Sequence, residues 1–505
     1  MTELSAPEPS AASTPARGQL SDRADILMRS FILALLYSVM AIIAVRSVPG
    51  VNIDMWWHMS SARWMLEHHA LPHTAIYANL HPVPAWHAYS WLYDLMMLGV
   101  YRAFGLVGVL GYITVMVLAI LTALHRMTGR LQHDFLPAIV LALLGAIVMM
   151  PVYTPRSWLF SVFFFIVQLD LLHRARSSGQ WKLLLWLLPL YALWSNIHIQ
   201  FFDGLVVLAA TALEPVLMRF WFWPERPPIS AGKLFAILGG CIAATWVNPY
   251  GWSLYVSAFK LVSEHYVFSH IQELGSIPFR MWQNYAFLGL VIGAAVVLAR
   301  REKPDLWRWM LFSGGLIVSF RSYRDIWFLT AIAVMILAEG VSSKAPLVRP
   351  IPRYFRPVIA VVVLCVALVE SHMIGVSNSF LSKVEYEAMP VRAADAILEH
   401  QYPGPIFNTY EWGGYLIWRT QRPVSIDGRA AVYGSKIIRR NFQTWGGGQD
   451  WEKNPELKAA NLVIGPVSSP LTQILRMDSN FQLVYQDKTA AVFVRKIPVN
   501  SSIHP

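Results

Sequence analysis

Charged residues are scarce in this chain: they make up 14% of its 505 residues, whereas hydrophobic residues make up 55%. A chain of this length with so little charge is too apolar to be a soluble protein. Its apolar residues gather in long runs, which is typical of helices that cross a bilayer. The sequence therefore predicts an integral membrane protein. Its basic excess is better explained by cytoplasmic loops than by nucleic-acid binding.

Other absences exclude further classes. The two cysteines, Cys241 and Cys365, both lie in apolar runs, which argues against a disulfide framework and against a cysteine metal site. No P-loop, dinucleotide-binding glycine motif or internal repeat is visible. Residues 1–24 are rich in Ala, Ser and Pro without an apolar run, and they predict a disordered cytoplasmic tail rather than a cleaved signal.

Eleven apolar segments are long enough to be candidate membrane spans. They are 26–46, 106–124, 134–152, 157–173, 181–195, 201–218, 233–247, 284–299, 306–320, 325–342 and 357–376. Segment 88–104 is also apolar, but Asp94 and Arg102 interrupt it, so it is interpreted as a juxtamembrane helix. Counting it as a span would make twelve.

The positive-inside rule orients these spans. With eleven spans and a cytoplasmic N-terminus, most Lys and Arg of the loops face the cytoplasm. A twelfth span would place HRARSSGQWK and RREKPDLWR outside, against the rule. The predicted domains are the tail 1–24, a membrane domain 25–378 with a first outer loop 47–105, and an exported domain 379–505. In that last domain VRAADAILEHQ predicts a helix, and PIFN, PVSID, NLVIG, FQLVYQ and AAVFVRK predict strands of a soluble α/β fold.

Polar residues that are unusual for a membrane protein recur at the outer ends of the spans. Asp54 and His58, with Trp57 between them, follow the first span. The others are Arg156 after Thr-Pro, Asn196 and His198 in WSNIH, and Arg321 and Arg324 in FRSYRD. Because all of them face one compartment in this topology, we expect one cavity with an acid/base centre and cationic groups.

Several of these residues also have a structural interpretation. An interfacial arginine such as Arg156 is commonly an anchor that reaches lipid headgroups. His68, His69 and His73 match no compact metal-ligand motif and are better explained as solvated loop residues. For Asp54, a carboxylate at the mouth of a span, the functional interpretation is favoured.

The strongest cluster of the tail consists of two short motifs. It comprises Trp412, Gly413, Gly414 and Tyr415 together with Asp427, Gly428 and Arg429. Paired glycines permit a tight turn or a close backbone approach. The cluster therefore either stabilises the fold of the tail or forms a lid or acceptor-binding surface over the membrane cavity.

The order of these motifs resembles a known superfamily. The chain contains the following motifs in this order: Asp-x-Trp-Trp-His after the first span, Arg after Thr-Pro, Trp-x-Asn-x-His, Asn-Pro-x-Gly, an arginine-bearing outer loop, and a tail with YEWGGYL and SIDGR. Together they resemble bacterial multispanning proteins related to the GT-C glycosyltransferases, which include oligosaccharyltransferases, protein O-mannosyltransferases and the aminoarabinose transferases of lipid A. The resemblance covers most of the chain from about residue 26.

The resemblance implies a reaction and roles for the residues. Members transfer a sugar from a polyprenyl-phosphate donor at the outer membrane face with inversion, onto a glycan, lipid or protein acceptor. Asp54 would be the general base, assisted by His58, and Arg321 and Arg324 would stabilise the departing phosphate. Arg156 or His198 would support them, with Asn196 and Trp57 in the substrate site.

The chain also departs from the pattern. Many relatives carry two adjacent acidic residues in the first loop, whereas position 55 here is Met and the next acidic residue is Glu67. A bound divalent cation is therefore disfavoured, and His58 would take the second polar role. Arginines could replace a metal, because a guanidinium matches phosphate geometry.

Three functions follow as hypotheses. The first is a glycosyltransferase in the bacterial inner membrane that acts in envelope glycan or glycolipid assembly, with its C-terminal domain in the periplasm or outside. The second is a transporter of lipid-linked sugars, which would need polar groups near the bilayer midplane. The third is an inactive membrane scaffold with an exported binding domain, which the missing acidic neighbour of Asp54 keeps open.

Overall fold

Long apolar helices dominate the protein, whose computed structural model describes residues 16–46, 53–220, 228–263, 274–340 and 351–497. The helices up to residue 373 are α1 (Ala16–Arg46), α2 (Ile53–His68), α3 (Trp91–Leu131), α4 (Phe135–Val148), α5 (Trp158–Ser178), α6 (Leu187–Ile197), α7 (Phe201–Phe220), α8 (Ala231–Thr245), α9 (Ser253–Ser263), α10 (Trp282–Ala299), α11 (Leu306–Arg321), α12 (Ile326–Gly340) and α13 (Phe355–Met373). Almost every side chain of α12 is buried, so this helix lies in the core of the bundle.

Within the described residues, six helices are long and apolar enough to cross a membrane. They are 23–46, α3, α5, α7, α10 and α13. Every one of the eleven predicted spans overlaps a helix, although 181–195 begins as a 3₁₀ turn at Trp181–Trp186. The other helices are shorter or less apolar, so the membrane class is confirmed while the count of eleven stays a prediction.

The N-terminal part differs from the sequence prediction in the tail and in the first outer loop. Helix α1 already begins at Ala16, so the end of the predicted disordered tail is helical, and residues 1–15 lie outside the described residues. The first outer loop contains a helix, α2, and Asp54 lies in its first turn. Segment 88–104 forms a helix from Trp91 that ends at Gly105, as its sequence predicts, because the backbone is not helical at this residue and α3 consists of two helices joined by a kink there.

Helix α3 is kinked at Gly105, whose φ of 66° is in the left-handed region that favours glycine. The side chain of Asn378 compensates for the broken backbone pairing at this point. Its Nδ2 donates to the carbonyl of Phe104 at 3.0 Å, and its Oδ1 accepts from the amide of Val107 at 3.0 Å. The start of the tail is therefore fastened to the kink.

The tail contains a four-stranded sheet with helices on both sides. Its elements are α14 (Asn378–Ala388), α15 (Val391–Glu399), β1 (Ile406–Asn408), α16 (Gly413–Thr420), α17 (Ala430–Trp445), α18 (Pro455–Ala459), β2 (Leu462–Pro466), α19 (Pro470–Met477), β3 (Phe481–Gln486) and β4 (Ala490–Arg495). The strand order is β1-β2-β4-β3, with β1 and β2 parallel and the other pairs antiparallel.

Successive side chains of a strand point to opposite faces of its sheet, and both faces are buried here. Leu462 and Ile464 of β2 join the large core that includes the membrane helices. Val463 between them joins a smaller core with Phe407 and Trp445. The sheet is therefore packed on both sides.

The tail also packs on the first-loop segment. Helix α16 lies against α2, and the amide of Val424 donates to the carbonyl of Tyr77 at 2.9 Å. The guanidinium of Arg63 lies 3.8 Å from the ring centre of Trp418. The predicted strand PVSID was wrong, because this segment forms only isolated bridges at Val424. These contacts bring the tail motifs to the N-terminus of α2.

Candidate active site

A cavity of about 1080 Å³ lies at the N-termini of α2 and α5. The segments after α6 and α11 also contribute to its wall, as does the tail. Its polar and aromatic lining includes Asp54, Trp57, His58, Trp86, Tyr89, Arg156, Trp158, His198, Arg280, Arg324, Tyr410, Glu411 and Arg429. We call this space the Asp54 cavity.

Asp54 is held by a cation and by the helix that carries it. One carboxylate oxygen lies 2.9 Å from a guanidinium nitrogen of Arg156, and the other accepts from the indole of Trp57 at 3.1 Å. The position of Asp54 in the first turn of α2 also favours an anion, since unpaired backbone amides lie there. The side chains of Asp54 and Arg156 are 13% and 11% exposed. The carboxylate is therefore fixed and still reaches the cavity.

Two arginines share one aromatic side chain in the wall of the cavity. The guanidinium carbons of Arg156 and Arg324 lie 4.5 and 5.6 Å from the ring centre of Trp158. The Nε of Arg324 has no hydrogen-bond acceptor among the described residues and lies 3.8 Å from a carboxylate oxygen of Asp325. Paired guanidinium groups in a partly dry cavity can bind a phosphate through charge-assisted hydrogen bonds.

His58 is oriented by a buried carboxylate. Its Nδ1 lies 2.6 Å from Oδ1 of Asp94, a fully buried residue, and its ring stacks on Trp57 at 3.6 Å. Because Nδ1 faces Asp94, Nε2 is the ring nitrogen left for exchange with other groups. In the sequence, Asp94 was interpreted only as an interruption of an apolar run. An acidic residue in such a run was itself the signal that could have identified it.

His198 also lines the cavity, and it is held by a hydroxyl. Its Nδ1 lies 2.8 Å from the Oγ of Ser161, which accepts from the indole of Trp194 at 2.8 Å. Burial, reinforced by the nearby charge of Arg324, holds the pKa of His198 well below its ordinary value. The imidazole is therefore neutral at physiological pH and suited to hydrogen bonding.

The structure places two predicted substrate residues outside the Asp54 cavity. Asn196 is buried and accepts from the indole of Trp91 at 2.9 Å, while its own amide donates to the carbonyl of Ala192. Arg321 is exposed at the end of α11 and does not line the cavity. The 3₁₀ turn Tyr323–Asp325 that follows α11 carries Arg324 to the cavity instead.

The tail closes one side of the cavity through Gly428. A side chain at Gly428 would overlap a carboxylate oxygen of Asp54, so only glycine fits beside this carboxylate. Gly414 approaches the same helix, since a Cβ there would lie 2.8 Å from the carbonyl of Ile53. Gly413 packs against the backbone of Ile426 and Asp427. Trp412 and Tyr415 are buried, and Tyr415 lies edge-on to Trp56 at 5.3 Å.

Asp427 and Arg429 form a buried pair behind this wall. Arg429 donates to the two carboxylate oxygens of Asp427 at 2.9 and 2.7 Å, and to the carbonyl of Ile76 at 2.8 Å. Burial alone would lower the pKa of Arg429, but the charges and hydrogen bonds of Asp427 and Tyr433 together raise it. Arg429 therefore stays charged at the cavity and connects the tail to the segment after α2.

Further lining residues were missed in the sequence, among them Tyr89, Arg280, Tyr410 and Glu411. Burial raises the pKa of Tyr89 to about 12, so its phenol remains a hydrogen-bond donor. Nothing in their local patterns distinguishes these residues, because only the folded chain brings them to the cavity. No cluster of three or more potential metal ligands occurs within the described ranges.

The apolar helices and their arrangement define a multi-pass membrane protein whose fold resembles that of the GT-C glycosyltransferases. No protein-family model matches the chain, and no curated protein matches its sequence. The fold is similar to that of the oligosaccharyltransferase AglB from Archaeoglobus fulgidus, solved with an inhibitory peptide and a dolichol-phosphate. The identity is 12% and the TM-score 0.50, over 94% of this chain and 75% of AglB.

A second solved structure with some likeness to this chain is ArnT from Cupriavidus metallidurans, bound to undecaprenyl phosphate. It shares 12% identity with this chain at a TM-score of 0.46, over 93% of this chain and 99% of ArnT. At such identities a likeness concerns the fold alone. The GT-C resemblance stated from the motifs is confirmed at this level.

Proposed function

We propose that the protein is a glycosyltransferase that moves a sugar from a polyprenyl-phosphate donor to an acceptor at the outer face of a bacterial inner membrane. One observation carries this proposal: the Asp54 carboxylate and the guanidinium groups of Arg156 and Arg324 face one cavity at the helix ends. Such a transfer needs a base that takes the proton of the acceptor and cations that stabilise the leaving phosphate. The dolichol-phosphate in AglB, whose fold is similar, agrees with a lipid phosphate as ligand.

In the proposed reaction, the acceptor hydroxyl or amine attacks the anomeric carbon of the sugar. Asp54 takes the proton of the acceptor as the new glycosidic bond forms. The bond between the anomeric carbon and the phosphate oxygen breaks, and its electron pair stays on the lipid phosphate. Arg324 and Arg156 stabilise the added negative charge, and attack from the opposite face inverts the anomeric centre.

The ion pair between Asp54 and Arg156 fits this sequence of events. An incoming phosphate competes for the Arg156 guanidinium, and this competition makes the carboxylate a better proton acceptor once the donor is bound. His58, oriented by Asp94, is the second proton-handling group beside it. The proposal assigns phosphate binding to arginine rather than to a divalent cation.

The topology completes the proposal. We place the N-terminus in the cytoplasm and the tail in the periplasm or outside the cell, because most basic loop residues then lie inside. The acceptor is an envelope glycan, lipid or protein that enters beside the tail wall formed by Tyr410 and Arg429. The tail is thereby a part of the acceptor site.

The test is sugar transfer in membranes that contain the full chain. Undecaprenyl phosphate carrying labelled glucose, mannose or aminoarabinose serves as donor, and extracted envelope lipids and glycans serve as acceptors. We expect Asp54→Asn to lower transfer roughly 100- to 10,000-fold, the contribution of a general base. Glu67→Gln, which removes the same charge from the exposed end of α2, is the matched control and should retain activity.

Other outcomes separate the alternatives. Equal transfer by Asp54→Asn and the wild type would refute the base assignment. A protein that binds undecaprenyl phosphate but transfers no sugar would favour the inactive scaffold. Movement of the labelled lipid between leaflets without transfer would favour the transporter.

A further inference from the structure

A second cavity, of about 1020 Å³, lies between α1, α3 and α13, and it shares no lining residue with the Asp54 cavity. We call it the α1–α13 cleft. Along α1 it extends from Arg29 to Val45, roughly 24 Å at 1.5 Å per residue. Its walls are mainly apolar, with Leu33, Leu118 and Val363 among them. This length is comparable with that of one lipid in a bilayer.

The cleft is apolar along its length and cationic at one end. The basic residues of that end are Arg29, Arg126, Arg130 and Arg356, with His125 and His133 beside them. Arg130 pairs with Asp170, and Arg29 pairs with Asp25. Arg126 and Arg356 are exposed and form no ion pair with any residue of the described ranges. Two guanidinium groups without an ion-pair partner among the described residues therefore lie at the mouth of an apolar channel.

This end is remote from the Asp54 cavity. Helix α1 runs from the cationic end at Arg29 to Arg46, and the chain then leads to α2 and Asp54. The Asp54 cavity lies at the N-terminus of α5, whereas the Asp170 partner of Arg130 lies more than three turns further along that helix. The cationic end of the cleft therefore belongs to the opposite side of the membrane.

A buried hydrogen-bond donor lines the same cleft. Gln132 is 1% exposed, and its Oε1 accepts from the amide of Asp134 at 3.2 Å. Its Nε2, in contrast, has no acceptor among the described residues. Buried donors are nearly always satisfied, so an oxygen-bearing ligand in the cleft accounts for this one.

Helix α13 gives a further reason to expect a ligand. Only Val363 and Glu370 of this helix are buried, and its main packing partner is α1. The cleft lies between this helix and α3, and residues of both line it. A molecule that fills the cleft would therefore complete the packing of α13.

We propose that the α1–α13 cleft binds an anionic glycerophospholipid of the leaflet opposite Asp54. Arg126 and Arg356 hold its phosphate, Gln132 donates to a headgroup or ester oxygen, and its acyl chains lie along α1 and α13. The charge of the site selects the lipid, since basic pockets between membrane helices on the cytoplasmic side bind anionic headgroups. The surrounding bilayer supplies such a phospholipid, and its phosphate and acyl chains match the cationic end and the apolar walls of the cleft.

The test is lipid retention by the purified full chain, measured by native mass spectrometry against added phosphatidylglycerol or phosphatidylcholine. We expect the wild type to retain phosphatidylglycerol over phosphatidylcholine. The double variant R126Q/R356Q should bind phosphatidylglycerol roughly thirtyfold more weakly, the effect of two cations near an anionic lipid. Arg219→Gln, which removes an exposed arginine at the end of α7 outside the cleft, should bind like the wild type.

Gln132→Leu is a second variant that keeps the volume and the charge but removes the donor. The substitution should weaken phosphatidylglycerol binding several-fold. The melting temperature of the lipid-free protein should be unchanged or higher, because the substitution removes a buried donor that has no acceptor. Equal retention of the two phospholipids would overturn the proposal, because the lipid would then only surround the helices. The same holds if R126Q/R356Q binds like R219Q, or if undecaprenyl phosphate displaces phosphatidylglycerol at lower concentration.

Discussion

Asp54 and Arg156 form an ion pair of 2.9 Å between the N-termini of α2 and α5. The two residues lie on segments that are far apart in the chain, so the pair defines the position of both in the Asp54 cavity. It also balances the charge of the carboxylate until a competing anion binds Arg156. A change to the residues around this pair should therefore alter sugar transfer more than it alters the fold.

The arginines after α11 provide a matched pair of variants. Arg324→Gln should lower transfer roughly 100- to 1,000-fold, because it removes a cation aimed at the leaving phosphate. Arg321→Gln should have little effect, since Arg321 is exposed outside the cavity. Steady-state transfer and undecaprenyl phosphate binding by both variants are the measurements. Equal losses in the two variants would contradict the assigned cavity.

The His58–Asp94 contact predicts energetic coupling. His58→Gln and Asp94→Asn should each reduce turnover, and the double variant should lose little more than the more damaged single variant. The physical reason is that Asp94 acts only through the imidazole that it orients. A double-mutant cycle on turnover and on donor KM is the measurement. Fully additive losses would show that the two residues act separately.

Gly428 predicts that one methyl group in the tail disturbs the membrane site. In Gly428→Ala the new side chain overlaps the Asp54 carboxylate, so transfer should fall at least tenfold if the loss of aligned geometry costs about 1.4 kcal/mol. Gly404→Ala is the control, because a Cβ there meets nothing closer than 3.9 Å. Transfer and melting temperature are measured for both variants. An active Gly428→Ala protein would show that the tail does not constrain Asp54.

Glu385 predicts a pH dependence of stability in the tail. Burial raises the pKa of Glu385 from 4.5 to about 7. The folded chain then holds a proton that the unfolded chain releases, so stability falls as the pH rises between these two values. Glu385→Gln should therefore be more stable than the wild type at about pH 8 and similar to it below pH 4.5.

Thermal unfolding of Glu385→Gln, compared with that of Glu387→Gln, checks this prediction. Glu387 lies on the same helix but is exposed, so its substitution should leave the pH profile unchanged. If the stability advantage of Glu385→Gln over the wild type shrank rather than grew as the pH rose from about 5 to 8, the predicted sign would be wrong.

Much of the helical part was predictable because each span is a long apolar run. The orientation by basic loops grouped Asp54, His58, Arg156, His198 and Arg324, and all five line one cavity. Local pattern could not separate Arg324 from Arg321, since a 3₁₀ turn after α11 decides which one reaches the cavity. Both were equally plausible cations in the sequence.

The role of the tail depended on contacts between distant residues. Glycines at 413, 414 and 428 indicated close backbone approach but not the partner, which for Gly414 and Gly428 is the N-terminus of α2. The PVSID segment has a strand-like composition, yet it serves as a connection that pairs at Val424 with Ala78 and Ile406. Packing against another element overrode the local preference in this segment.

In the proposed function, the Asp54 cavity holds a lipid-phosphate-linked sugar that Asp54 helps to transfer. The most direct test of this function is a native mass spectrum of Asp54→Asn purified from membranes of a bacterium that makes the natural donor. We predict that Asp54→Asn retains a polyprenyl phosphate that carries one sugar. The wild type should instead retain the sugar-free lipid phosphate, and Arg324→Gln should retain neither lipid. Identical spectra for the three proteins, without a polyprenyl phosphate in any of them, would contradict the proposed function.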